Sequence, residues 1–108
     1  RNCDDHTKNF AFRLKKEGKW ELAPAYDICH AFRPGSDWVS QHALSINNKR
    51  KDILKEDLTS IGESIKCKKS GHIIEEISEN VGRWREFAKD VEVNEVLADA
   101  IGNTLLRM

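Results

Sequence analysis

No long hydrophobic run occurs in the 108 residues, and nothing approaches the roughly 18 apolar residues that a membrane-spanning helix requires. No charged stretch leading into an apolar core marks a signal peptide. Charge of one sign is missing too, since 18 Lys and Arg balance 18 Asp and Glu. That excludes the whole-chain basic excess of a simple nucleic-acid binder. It equally excludes the acidic, aromatic-poor profile of a disordered tail. Cysteine is sparse and odd in number, at Cys3, Cys29 and Cys67. This argues against a secreted disulfide framework and for reduced thiols in a cytoplasmic protein. The six glycines, at 18, 35, 62, 71, 82 and 102, are too dispersed to make a Gly-rich phosphate loop. An initiating Met is absent, so the chain is expected to be processed or a piece of a longer one.

What is present is one domain's worth of sequence. The hydrophobic fraction of 39% is below the usual ~45–50%, and the charged fraction of 33% is above the usual ~25%. A modest core and much solvated surface are therefore expected. The charges segregate: residues 1–51 carry a net +4 and residues 52–108 a net −4. Phe10, Phe12, Trp20, Tyr26, Phe32 and Trp38 fall in the first half, and only Trp84 and Phe87 in the second. Chemistry is thus expected in 1–51 and helical scaffold in 52–108.

Phe10, Phe12 and Leu14 share one face at period two, which predicts a strand over 10–15. Lys16-Glu17-Gly18-Lys19 reads as a turn, and Trp20 to Ala23 as the returning strand. Pro24 ends the pairing, because it has no N–H to donate. His42 to Ile46 reads as a short strand turning at Asn47-Asn48, residues that tolerate left-handed backbone. From residue 52 the period changes. Leu54, Leu58, Ile61 and Ile65 predict an amphipathic helix. Ser70 is the expected N-cap of a second, with Ile73, Ile74, Ile77, Val81, Trp84 and Phe87 or Ala88 on one face. Gly82 within it is expected to admit a closely packed neighbour. Asn94 opens a last helix, with an apolar stripe of Val96, Leu97, Ala100, Ile101, Thr104 and Leu105. The predicted fold class is mainly α with a small β-hairpin region.

The chemically dense stretch is Asn2-Cys3-Asp4-Asp5-His6-Thr7-Lys8-Asn9-Phe10. Polar loops held by a scaffold are where function concentrates. A tight hairpin returns the chain to its start, so Asp27, in Leu22-Ala23-Pro24-Ala25-Tyr26-Asp27, is expected near Asp4 and Asn9. Two acids and an amide oxygen suit Mg²⁺ with phosphate, because Mg²⁺ favours hard oxygen ligands. Kinases divide the labour in this way, with an Asp base, an Asn five residues on and a later Asp on the metal. The bland alternative is a capping and turn cluster, since Asp and Asn satisfy backbone N–H groups in turns. A second alternative is zinc held by Cys3, His6, Cys29 and His30. The adjacent pair Cys29-His30 is poorly spaced for a tetrahedral site. His42 and His72 have no evident partners in the sequence.

Asn2-x-Asp4-Asp5-His6-x-Lys8-Asn9-Phe10, followed by Leu22-Ala23-Pro24-Ala25-Tyr26-Asp27-Ile28, resembles the C-terminal kinase core of the HipA family, bacterial serine/threonine kinase toxins of toxin–antitoxin modules. Leu44-Ser45-Ile46-Asn47-Asn48-Lys49 resembles the family's segment before its terminal helices. The resemblance implies the C-terminal, mostly helical portion of a protein-kinase-like fold. It implies Asp4 as catalytic base, with Lys8 and His6 in supporting roles. Asn9 and Asp27 become the ligands of Mg²⁺ and, through it, of ATP. Asp5 lies where the family varies and is assigned no role. A protein Ser/Thr hydroxyl is the implied substrate and a helix-turn-helix antitoxin the implied partner, with DNA contacted only through that partner. The family's kinases are several times longer, and their ATP-binding lobe has no counterpart here. The chain alone is therefore expected to be inactive. The competing reading is a non-catalytic module that binds an antitoxin or a separate kinase lobe.

Overall fold

A computed structural model describes all 108 residues. It shows a two-stranded antiparallel sheet and four α-helices, so the mainly helical class with a small hairpin is correct. Two compact units divide the chain, Asn2–Leu44 on one hand and Ser45–Met108 with Arg1 on the other. No helix is long and apolar enough to cross a membrane.

In the first unit a short 3-10 turn, Thr7–Asn9, leads into β1 (Phe12–Leu14), which pairs with β2 (Trp20–Leu22). Phe12 faces Leu22, Arg13 faces Glu21 and Leu14 faces Trp20. The turn between the strands needs a left-handed residue, and Gly18 supplies it at φ 74°. Both strands are shorter than the apolar alternation suggests, although Ala23 N–H still donates to the Ala11 carbonyl (2.8 Å). The two sheet faces differ sharply. Glu21 bridges Arg13 and Lys15 on one. The other carries Phe12, Leu14, Trp20 and Leu22, each more than half exposed.

The second unit opens with a tight turn rather than the strand expected over 42–46. Only Ile46 and Lys49 bridge across it, with Asn47 and Asn48 both left-handed at φ 50° and 62°. The turn chemistry is thus as read, while extended pairing is absent because the chain folds back after only one bridged residue on each side. The helices are α1 (Lys55–Ser64), α2 (Ser70–Gly82), α3 (Trp84–Asp90) and α4 (Glu95–Gly102). The single helix predicted across 70–88 is two. Gly82, a poor helix former, ends α2, and Arg83 leaves helical geometry at φ −84° and ψ 12°. Ser70 is the first residue of α2 and not its cap. Asn94 does cap α4, its Oδ1 accepting from the Val96 and Leu97 N–H groups at 3.0 and 3.3 Å.

The helices approach closely at small residues, and the predicted apolar stripes are covered only in part: Ala88 is buried and Trp84 half-buried. A Cβ on Gly62 would stand 2.3 Å from Ser70 Cβ, so α1 and α2 meet there. Trp84 Nε1 donates to the Ala98 carbonyl of α4 at 2.8 Å. A Cβ on Gly102, one turn further, would meet the same indole at 3.3 Å. Gly82, by contrast, has open space beside it, so its predicted packing role is wrong. Leu54, Ile61, Ile65, Ile73, Ile77, Phe87, Val96 and Leu97 remain exposed. Cys3, Ala88 and Ala98 are the buried apolar residues, which makes the core as modest as the composition implies.

Candidate functional site

The motif loop and the segment after the hairpin come together within the first unit. Cys3 N–H donates to the Ala31 carbonyl (2.8 Å), with Asn2 and Ala31 in a parallel bridge. Residues 27–31 therefore run beside residues 2–3. Asn9 Nδ2 donates to Asp27 Oδ2 at 2.9 Å, across 18 residues of sequence. The hairpin return thus places Asp27 against Asn9, as geometry predicts. Asp27 occupies the left-handed region at φ 54°, a conformation that costs a non-glycine residue roughly 1–2 kcal/mol. Two amides hold it there, because Asn2 Nδ2 donates to the Asp27 carbonyl at 3.1 Å and Asn9 Nδ2 reaches the same oxygen at 3.5 Å.

Asn2 also ties Asp4 to this cluster. Its Oδ1 accepts the Asp4 N–H at 3.0 Å, so one side chain joins the loop that presents Asp4 to the backbone that presents Asp27. Sequence reasoning counted Asn2 as part of a motif and assigned it no work. Its position two residues before Asp4, the spacing of an Asx turn, is the signal that identifies it. The Asp4 carboxylate is 58% exposed and reachable from solvent. His6 Nε2 lies 4.0 Å from Asp4 Oδ1, beyond hydrogen-bond range. Lys8 is exposed, and its carbonyl accepts from the Tyr26 hydroxyl, a second tie between the loop and the residues around Asp27.

Two buried polar atoms in the loop have no hydrogen-bond partner, His6 Nδ1 and Asn9 Oδ1. Polar atoms so placed ordinarily find one. The Asn9 amide meets the Asp27 carboxylate through Nδ2 and leaves Oδ1 unpaired; an amide oxygen and a carboxylate are hard donors of the kind Mg²⁺ takes. No three His, Cys, Asp or Glu side chains group to hold a metal ion, so the thiolate–imidazole set of Cys3, His6, Cys29 and His30 does not assemble. Cys3 is fully buried and Cys29 exposed.

Two further residues belong to this neighbourhood and were missed. The Asp5 carboxylate accepts from the Ala43 N–H at 2.7 Å, the Leu44 N–H at 3.5 Å and His42 Nδ1 at 2.9 Å. No local periodicity signals a contact between residues 38 positions apart.

The family model of the HipA-like C-terminal domain matches residues 1–100 of this chain. The chain belongs to the HipA-like C-terminal domain family. No curated protein and no solved structure matches it. The family match spans both units, so the HipA-like domain includes the motif loop, the hairpin, all of α1 to α3 and most of α4.

The second unit holds one more polar cluster that sequence reasoning passed over. Asp57, nearly buried, accepts from Lys49 Nζ (2.8 Å) and from the Leu54 N–H at the start of α1 (2.9 Å), with Asn47 Nδ2 at 3.4 Å. The Lys49 ammonium, then the Leu54 amide, hold its carboxyl below the usual carboxylate range, against the opposing effect of burial. Asp57 thereby fastens the Asn47-Asn48 turn to the first turn of α1.

Proposed function

We propose that this HipA-like domain provides the catalytic-loop portion of a serine/threonine kinase, which transfers the γ-phosphoryl group of ATP to a protein hydroxyl. The observation that carries the reading is the Asn9–Asp27 contact, in which Asn9 Nδ2 meets the carboxylate while Oδ1 of the same amide is buried and unpaired. Asn9 and Asp27 are the residues that would hold Mg²⁺, whose charge would offset that of the phosphates. Asp4, exposed and tied to the same cluster through Asn2, would accept the proton of a substrate hydroxyl. Lys8 supplies positive charge near the transferred group, whereas His6, whose Nδ1 is unpaired and whose Nε2 is out of hydrogen-bond range of Asp4, is given no orienting bond. Catalysis of this kind is chiefly positioning and electrostatics, which a loop pinned by its own side chains suits.

The dispersed glycines offer no phosphate-covering loop, so this chain alone is expected to bind ATP weakly and to turn over none. The test is therefore metal binding. Titration of the isotopically labelled chain with Mg²⁺ is expected to shift the Asn9 side-chain amide and the Asp27 backbone, and Asp27→Ala is expected to abolish the response. A chain whose Asn9 and Asp27 signals ignore millimolar Mg²⁺ would sink the reading.

A second reading is favoured by a separate observation. The apolar hairpin face of Phe12, Leu14, Trp20 and Leu22 is exposed, and an isolated two-stranded hairpin is marginal in water. An interaction module that offers this face to a separate kinase lobe or to a helix-turn-helix antitoxin, with DNA contacted only through the latter, would use it directly. Under that reading Mg²⁺ leaves the site unmoved, while Trp20→Ser weakens association with the partner.

A further inference from the structure

Asp4 sits between two anchored neighbours. Cys3, fully buried, donates its N–H to Ala31 and accepts the Ala43 N–H on its carbonyl at 3.2 Å. Asp5 takes the same Ala43 N–H on its carboxylate, together with the Leu44 N–H and His42 Nδ1. An ionised carboxylate only accepts hydrogen bonds, so the His42 proton facing it is on Nδ1. The two side chains are largely shielded, at 28% exposure for Asp5 and 18% for His42, which strengthens a charge-assisted bond relative to one in open water. Asp4 itself makes no such contact through its carboxylate. Its place is set by the residues on either side.

We infer that Asp5 and His42 form a clasp that fixes the loop backbone and so the location of Asp4, which makes both of them positioning residues. Their value to phosphoryl transfer rests on the kinase reading above; the clasp itself does not. Segment 42–44 becomes a brace for the catalytic loop. Leu44 is the last residue of the first unit, so the brace closes that unit's chain onto its own beginning.

The test uses the full 108-residue chain, with amide hydrogen exchange read residue by residue. His42→Leu removes the donor, while His42→Asn restores one, because Asn Nδ2 and His Nδ1 stand the same number of bonds from Cα. His42→Leu is expected to speed exchange at Asp4, Asp5 and Ala43 by about tenfold, the effect of losing one charge-assisted hydrogen bond. His42→Asn should recover most of it, and the amides of α1 and α4 should not change. Should His42→Leu fail to fold, Asp5→Asn, which keeps the shape and removes the charge, is read against the same amides. Unchanged exchange in the variant that folds, or His42→Asn as fast as His42→Leu, overturns the clasp.

A second readout separates positioning from mere support. Mn²⁺, a paramagnetic stand-in for Mg²⁺, is expected to broaden Asn9, Asp27 and Asp4 in the wild-type chain. In His42→Leu the broadening at Asp4 should weaken while that at Asn9 and Asp27 persists. Equal broadening at Asp4 in both chains overturns the positioning role. No broadening in the wild type defeats the kinase reading and leaves the exchange experiment to judge the clasp.

Discussion

The two units of this HipA-like domain are held together by different means. Asn2–Leu44 contains six strand residues, and its form comes from side chains that bond distant backbone: Asn2 and Asn9 to Asp27, Tyr26 to Lys8, Asp5 to residues 42–44. Ser45–Met108 is built of helices that touch through Gly62, Ala98 and Gly102. The first unit pins individual polar groups one by one. The second needs only close approach, and small residues permit that. Substitutions should therefore fail in different ways: steric and cooperative in the helical unit, polar and local in the loop unit.

The sharpest break is predicted at Gly62. Adding a methyl group there places Cβ 2.3 Å from Ser70 Cβ, and the main chain of α2 must move. Gly62→Ala should cost about 1–3 kcal/mol, the usual range for overpacking, read by urea unfolding. Gly82→Ala is the control. With open space around it and a gain in helix propensity of up to ~1 kcal/mol, it should be neutral or stabilising. Equal losses at both glycines would show that the helices do not meet as described.

Acid should single out the helical unit next, through Asp57. Its folded-state carboxyl titrates below its ordinary 3.8, so the unfolded chain takes up the proton first. The stabilisation is complete above about pH 5. It is lost as the pH falls through 3.8 and on through the lower folded-state value. Asp57→Asn should lower the melting temperature by several degrees at neutral pH, and the two melting curves should converge in acid. A gap that stays constant down to the lowest pH would show that Lys49 does not hold the carboxylate.

In the loop unit, Asn2→Ala removes both the bond to the Asp27 carbonyl and the one from the Asp4 N–H. A cost of about 1–2 kcal/mol is expected, confined to exchange at residues 2–9 and 27–31. Spread of the effect into α1 to α4 would contradict the local character of these bonds.

How much of this was legible differs between the units in the same physical way. Apolar period revealed the hairpin and the helices, because regular elements repeat their environment along the chain. It also marked Leu54, Ile61, Val96 and Leu97 as helix-packing faces, and these are exposed. Period reports that a face is apolar, not what covers it, and the true contacts at Gly62 and Gly102 carry no hydrophobic signal at all. In the loop unit, hairpin geometry placed Asp27 beside Asn9, because a return stroke of known length has few places to end. Asp5 and His42 stayed hidden, since nothing local links residues 37 apart. Asn2 was visible as motif and opaque as mechanism.

The mildest prediction concerns the one helix start that sequence and structure place alike. Asn94 Oδ1 accepts two N–H groups that α4 would otherwise leave without a carbonyl. Asn94→Ala should cost about 1 kcal/mol, and Asn94→Asp or Asn94→Ser should restore most of it. The loss should appear in α4 and in the Trp84 indole, whose Nε1 is bonded to the carbonyl of Ala98, the residue directly after the capped amides. With Trp20 and Trp38 replaced by Phe, so that Trp84 is the single fluorophore, its emission is the direct readout: it should respond to Asn94→Ala and be indifferent to Asn2→Ala. A Trp84 signal that moves with both would mean that the polar pinning of the loop and the close packing of the helices form one cooperative structure instead of two.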